Sequence, residues 1–388
     1  MLDSFLRHVT KDSYGPISFQ EKTTYPAVIH KFHDAISVLN WGKMPDVIAN
    51  RGRAAANVFT RLNLELQSET AWKNFLKSPE ALSFRKAGTS IAQSGNVSSM
   101  LNELAGSFPM RTNFIGAIDE TEFRNVDTKN PLKAERLLTR DQIEASGEKL
   151  AMLHPVCEYI SEEKAPAATV MGRAVWDYSI WKKQTAPKML PFEFLCHFTL
   201  TESSVKKLKV DSLSLPKTAS LHTIQAGTNW DFPVIELVLS QDPLQKRIGL
   251  SDALWITEWS PEKLQSTMLT AAWVAAFIKN TIKGFQLNSI QLRFAVDAKG
   301  NLILCDAGCL DDLHLEKEGK TYHSEQAIQY YSKTSWFESV VHAQKHAETF
   351  GLAEWKRLCA EPAPWMDPKV KTQMEADHVF IARTILGK

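Results

Sequence analysis

Residues 260–312 read SPEKLQSTMLTAAWVAAFIKNTIKGFQLNSIQLRFAVDAKGNLILCDAGCLDD, and this stretch decides the fold. Ser260 before Pro261 is a helix start, because the hydroxyl can cap free amides and proline suits the first turn. Leu264, Met268, Ala271, Ala275, Ile278 and Ile282 recur at three- and four-residue steps, the buried face of a helix. Gly284 supplies the permissive backbone of a helix end. Ile290, Leu292, Phe294 and Val296 then alternate with Gln291, Arg293 and Ala295, which predicts a half-buried strand. Asp297 to Gly300 makes a turn, and Leu302 to Cys305 return as a second strand. Asp306 therefore falls at a strand end, where a sheet can hold a carboxylate rigidly toward a cleft. That place suits a magnesium ligand in a nucleotide site, since Mg²⁺ takes few protein carboxylates and shares phosphate oxygens. It equally suits an ordinary strand-end acid.

Outward from this stretch, the 388-residue chain is long enough for one large or two ordinary domains. Hydrophobic residues at 44% and charged residues at 23% are those of a globular protein. A net charge of +1 gives no broad field for nucleic acid or an anionic membrane, so neither is expected as a partner. Five scattered cysteines and a polar N-terminus without a secretory apolar region point to reduced thiols in the cytoplasm. The apolar run LTAAWVAAFI, 269–278, is too short to cross a bilayer.

Strand signals gather early. YPAVIHKF alternates, and HDAISVLNWGKMPD adds a second strand-turn signal. RGRAAANVFTRLNLELQ, 51–67, is helical, and a helical stretch follows from about 69 to 105, broken at Pro79 and at AGTSIAQSGN, 87–96. Residues 124–147 read as polar and irregular, and KQTAPKMLP, 183–191, as an extended connector. LPFEFLCHFTL and FPVIELVLSQD are apolar strands, and the last seventy residues are helical. Together these predict an α+β protein of two lobes with a cleft between them. The lobes divide as 1–190, β-rich with the helical insertion, and 191–388. Phosphate loops, dinucleotide turns and nucleophile elbows of the common kinds are missing from the sequence. Cys305, Cys309, His314 and His323 do not form a zinc signature.

Four blocks stand in the order used by SAICAR synthetase (phosphoribosylaminoimidazole-succinocarboxamide synthase) of purine biosynthesis. They are KFHDAISVLNWGKMPDVIANRG (31–52), KMLPFEFLCHFTLTESS (188–204), FPVIELVLSQDPL (232–244) and the hairpin ending at Asp306. On these the chain resembles a divergent member of that family. The resemblance implies an ATP-grasp-like, two-lobed fold with a nucleotide cleft, and an ATP- and Mg²⁺-dependent ligase. Such an enzyme joins a carboxylate to an amine through an acyl phosphate, with those small molecules as partners. A homo-oligomer stays open.

By the same resemblance, Asp306 is the metal ligand, and Asp306 and Arg293 fall at catalytic positions. Lys22, Lys188, Met189, Leu190 and Glu193 fall at nucleotide positions, with the 188–190 backbone meeting adenine. Asp34, Ser37, His197, Ser203, Asp242 and His314 fall at substrate positions. Several family residues are changed. His197 and His314 stand for arginines, Glu202 for a glycine, Gln291 for a lysine, Arg293 for a metal-binding glutamate and Ala307 for the acid after Asp306. Gln326 and Gln329 stand for a lysine and an arginine. Arginine forks supply the paired bonds that hold a phosphate, so the expected pocket is altered. New cations such as Arg85, Lys86 or Arg111 offer one compensation. The alternative is a scaffold that has lost catalysis and binds a nucleotide or a partner.

Overall fold

The computed structural model describes residues 4–7, 9–20, 26–91, 96–127, 132–171, 173–202, 205, 225–242 and 244–387. Its first sheet takes strands β1 (Ser4–Arg7), β2 (Lys11–Ile17), β3 (Ala27–Phe32), β4 (Phe114–Asp119) and β5 (Leu153–Glu158), in the order β1-β2-β3-β5-β4. The second takes β6 (Lys188–Met189), β7 (Phe192–Thr199), β8 (Asn229–Leu239), β9 (Arg247–Ile248), β10 (Gln286–Val296), β11 (Leu302–Cys305), β12 (Leu313–Lys317) and β13 (Lys320–Thr321). Its main path runs β9-β8-β7-β10-β12-β13, with β6 and β11 also paired to β10. The α+β class follows directly from the two sheets and the helices against them.

The hairpin read from sequence is present. Helix α5 (Pro261–Thr281) is capped by the Ser260 side chain, which accepts from Lys263 N, and Gly284 takes φ +80° just beyond its end. Two elements outside the hairpin differ from expectation. HDAISVLNWGKMPD forms turns with one isolated bridge, Ala35 to Val47, instead of a strand. Within 124–147 a helix, Arg140–Glu148, is closed by a capping box between Thr139 and Gln142. Its few apolar residues hid it from a reading based on periodicity.

The 69–105 region folds as α2 (Glu69–Leu76), α3 (Pro79–Ile91) and α4 (Asn96–Ala105). By packing it attaches to the second sheet's helix. Trp72 stacks on Phe277 at 4.1 Å between ring centroids, and Phe84 lies 4.4 Å from Trp273. One continuous apolar cluster runs from Val28 and Phe32 of the first sheet through α1 (Arg51–Leu66) to α5 and the second sheet. The two sheets therefore share a core, and the chain passes from the first sheet to the second between Glu158 of β5 and Lys188 of β6.

Candidate active site at the seam between the sheets

Strand β11 is the seam. It pairs with β10, and its Leu304 also bonds to the first sheet's approach strand: Asn113 N donates to Leu304 O at 2.9 Å and Leu304 N to Arg111 O at 2.9 Å. Asp306 follows at once, with φ +52°, a left-handed conformation that costs about 1 kcal/mol or more outside glycine. Gly308, φ +80°, then lets the turn lie on α1, where a Cβ would sit 2.8 Å from Leu62 Cβ.

This placement aims the Asp306 carboxylate at the first sheet. Lys11 Nζ on β2 lies 3.0 Å from Oδ2, and His30 Nε2 on β3 lies 3.6 Å from Oδ1. Oδ1 itself makes no hydrogen bond. Burial alone would raise this carboxyl; Lys11, His30 and Arg293 together hold it well below the usual carboxylate range.

The second sheet contributes a polar face. Phe192, Phe194, Cys196 and Phe198 of β7 are buried in the shared core, so Glu193, Leu195 and His197 point to the opposite face. Register sets Glu193 beside Arg293, and the two are paired at 2.5 Å although Glu193 is only 2% exposed. Burial raises the Glu193 carboxyl and Arg293 opposes it. On the same face His197, Ser289 and His314 lie abreast on β7, β10 and β12. His197 Nε2 is 2.9 Å from Glu236, which also takes Arg247 at 2.7 Å, while His314 pairs with Glu325 at 3.0 Å.

The structure thus brings Asp306, Arg293 and Glu193 together, and sets His197 and His314 on either side of Ser289 on one face. The other expected residues fall as follows. Asp34 Oδ1 accepts from Gly52 N at 2.8 Å and so fixes the start of α1, where a Cβ on Gly52 would meet Phe32 O at 2.6 Å. Ser37 is half-buried in the turn region that follows. Asp242 is buried and bonds Leu244 N within its own turn. Lys22 and Ser203 lie outside the described residues.

At Lys188, Met189 and Leu190 the expected adenine contact meets groups already engaged. Met189 N donates to Ser161 O at 3.2 Å, Trp181 Nε1 to Met189 O at 2.7 Å and Leu190 N to Phe294 O at 2.8 Å. Lys188 Nζ donates to Trp181 O at 2.8 Å and lies over the Trp181 ring. The cavity left among Glu162, Tyr178, Trp181, Met189, Leu190 and Gln241 is about 10 Å³. A water needs about that much, and ligand pockets run to roughly 300 Å³ and above. In this conformation the connector is closed by Trp181.

Arg111 pairs with Glu158 at 2.5 Å, and Arg85 stacks on Trp273. Reading the sequence missed Lys11, His30, Asp311 and Asp312. Lys11 could have been found as an inward position of a strand, had HVTKDSYGPI been read as one. Among the described residues no group of three or more His, Cys, Asp and Glu side chains gathers as a metal site.

Asp312 gives a testable electrostatic signature. Burial, with Glu193 and Asp311 close by, pushes its carboxyl up to about 8 in spite of Arg293. In the unfolded chain it ionises near its ordinary value of about 3.9. The folded state thus binds the proton more tightly, and this contribution to stability is full at low pH and lost as pH rises toward about 8. Asp312→Asn is expected to raise the melting temperature at pH 8 and to leave it unchanged near pH 4. A lower melting temperature at pH 8 would contradict this account.

No family model matches the chain. It is 22% identical over 225 residues to a putative phosphoribosylaminoimidazole-succinocarboxamide synthase of Archaeoglobus fulgidus, matching 57% of this chain and 66% of that protein. Among solved structures, it is similar to a SAICAR synthase at TM-score 0.49 and 13% identity, covering 100% of this chain and 95% of that one. The Saccharomyces cerevisiae SAICAR synthase complexed with SAICAR gives TM-score 0.48 and 14% identity, over 100% and 95% of the two chains. The chain therefore resembles the SAICAR synthetases as a divergent relative.

Proposed function

We propose that this protein is an ATP-dependent carboxylate–amine ligase of the SAICAR synthetase type, with an altered substrate pocket. The observation that carries the reading is Asp306 on the seam between the sheets, with Lys11 beside one oxygen and the other oxygen free of hydrogen bonds. A magnesium site needs only one or two carboxylates, the remaining positions going to water and phosphate, so Asp306 fits as the ion's protein ligand. ATP and Mg²⁺, when bound, would supply the phosphoryl group that turns a carboxylate into an acyl phosphate open to attack by an amine. Lys11 would hold phosphate charge beside Asp306. Substrate would lie along the polar face of β7, β10 and β12. Here His197 and Arg247 are both committed to Glu236, which leaves no arginine fork from this pair for a phosphate.

Adenine at the connector requires Trp181 to leave Met189 O. Trp181→Ala should therefore tighten ATP binding by about fivefold to tenfold, the worth of one hydrogen bond and its packing. Calorimetric titration measures it, and an unchanged or weaker affinity would contradict a Trp181 gate.

A second reading has its own observation. The Arg293 guanidinium lies among Glu193, Glu162 and Asp306, whose charges hold it ionised despite burial. A fixed cation in that ring competes with a divalent one, which favours a scaffold without turnover. A thermal-shift titration with ATP plus Mg²⁺ tests the ligase reading. Ligand at about 100 times its Kd stabilises by about 2.7 kcal/mol. A rise that needs both ATP and Mg²⁺ establishes the nucleotide site, which a nucleotide-binding scaffold would share, so turnover then decides between the two; no rise at millimolar ATP contradicts the ligase.

A further inference from the structure

Behind the Asp306 turn runs a buried chain of ionisable groups that the proposed reaction does not use. Arg51, fully buried, donates to His33 O at 2.7 Å and pairs with Asp311 Oδ1. The same oxygen lies 2.8 Å from His323 Nε2. His323 Nδ1 is 2.7 Å from His378 Nε2, and His378 Nδ1 is 2.7 Å from Met374 O. His378 is on α6 (Pro368–Ile385), so the chain joins the last helix to the turn that follows Asp306.

Counting protons along this chain gives a definite answer. A backbone carbonyl only accepts, so His378 Nδ1 carries hydrogen. Burial would raise the Asp311 carboxyl, but Arg51 and His323 hold it well below its ordinary value, so it too only accepts. His323 Nε2 therefore carries hydrogen as well. One more hydrogen lies between the rings. Three ring N–H groups on two imidazoles is one more than two neutral rings possess.

We propose that His323 and His378 are positioning residues for the Asp311 turn and together hold one shared extra proton. With the proton, all three contacts are hydrogen bonds. Without it, one contact sets two acceptors face to face, and Asp311 or one ring must shift. Burial holds both rings below the ordinary histidine value, His378 well below it, and the Asp311 carboxylate opposes this at His323; the contact geometry is what calls for the proton. The other charges facing the pair are Arg51 on α1 and His314, itself paired with Glu325. Asp377, next to His378, is neutralised by Lys320 at 2.7 Å. His323 also sits at φ +60°, a strained backbone that the two bonds to its ring help to hold.

The inference stands on the free protein and does not need the ligase reading. Nitrogen-15 spectra of the histidine rings between pH 5 and 8 test it. One proton taken up by the pair as a unit is expected, with Leu310 and Leu313 amide signals moving at the same pH. In His378→Gln the amide can turn its NH₂ toward His323 Nδ1, so that a neutral His323 still donates to Asp311. That variant should keep the fold and lose both the proton uptake and the pH-linked amide shifts. The inference is overturned if the wild-type rings stay neutral down to pH 5. Two separately bound protons, or unchanged pH-linked shifts in folded His378→Gln, would overturn it too.

Discussion

Asp306→Asn is expected to reduce Mg²⁺-dependent turnover of ATP by at least about 100-fold, the order of effect of removing a group that stabilises transferring charge. The substitution keeps the side chain's size and removes its charge. It also strips Lys11, whose ammonium is held charged by Asp306 against the cost of burial. An unpaired buried charge costs about 3 kcal/mol or more unless the lysine gives up its proton. Wild-type and variant stability should therefore differ in their pH dependence. In the folded protein Asp306 binds its proton well below the value of about 3.9 found in an unfolded chain. Its stabilising contribution is full above about pH 5 and is lost as pH falls further, a loss the asparagine variant cannot show. Steady-state kinetics and denaturant titrations from pH 3 to 7 provide the two readouts. Turnover within about threefold of wild type would remove Asp306 from the chemistry.

Arg51→Ala should be the most destabilising single change at the site, by about 3–5 kcal/mol, because it leaves the Asp311 carboxylate without its guanidinium. It also leaves His33 O without its donor. Arg51→Lys keeps the charge and loses the two-directional fork, so it should recover only part of that loss. Urea unfolding at pH 7 measures both. A loss below about 1 kcal/mol in Arg51→Ala would show that Asp311 is solvated or protonated in the folded state.

The sequence showed the central hairpin because three independent signals agreed there: a Ser-Pro cap, helical spacing that ends near a glycine, and strict alternation. Helix α5, β10 and β11 follow those signals closely. Asp306 was legible as a strand-end acid for the same reason. Its partners were not, because Lys11 and His30 reach it from strands far away in sequence, and no local spacing records such a contact. Glu193 was legible as opposite in facing to Phe192 and Phe194, but a sheet with one apolar face and one ionic face gives the same alternation as a solvated one. Its pairing with Arg293 depends on strand register, which the sequence does not state. Trp181's contact with the connector was unreadable, since its indole reaches Met189 O from a single helical turn, Ile180–Lys183, too short to leave a periodic signal. The capped helix at Arg140–Glu148 was signalled by Thr139 and Gln142, a cue stronger than its weak hydrophobic pattern.

The most direct measurement of the central claim is ligation itself: the purified protein with ATP, Mg²⁺, aspartate and the purine carboxylate, then other acid and amine pairs, with product mass read by spectrometry. An amide product that requires ATP, and disappears with Asp306→Asn, is the predicted result. Failure to form an amide from any pair, under conditions where the protein is folded and Trp181→Ala binds ATP, would contradict it.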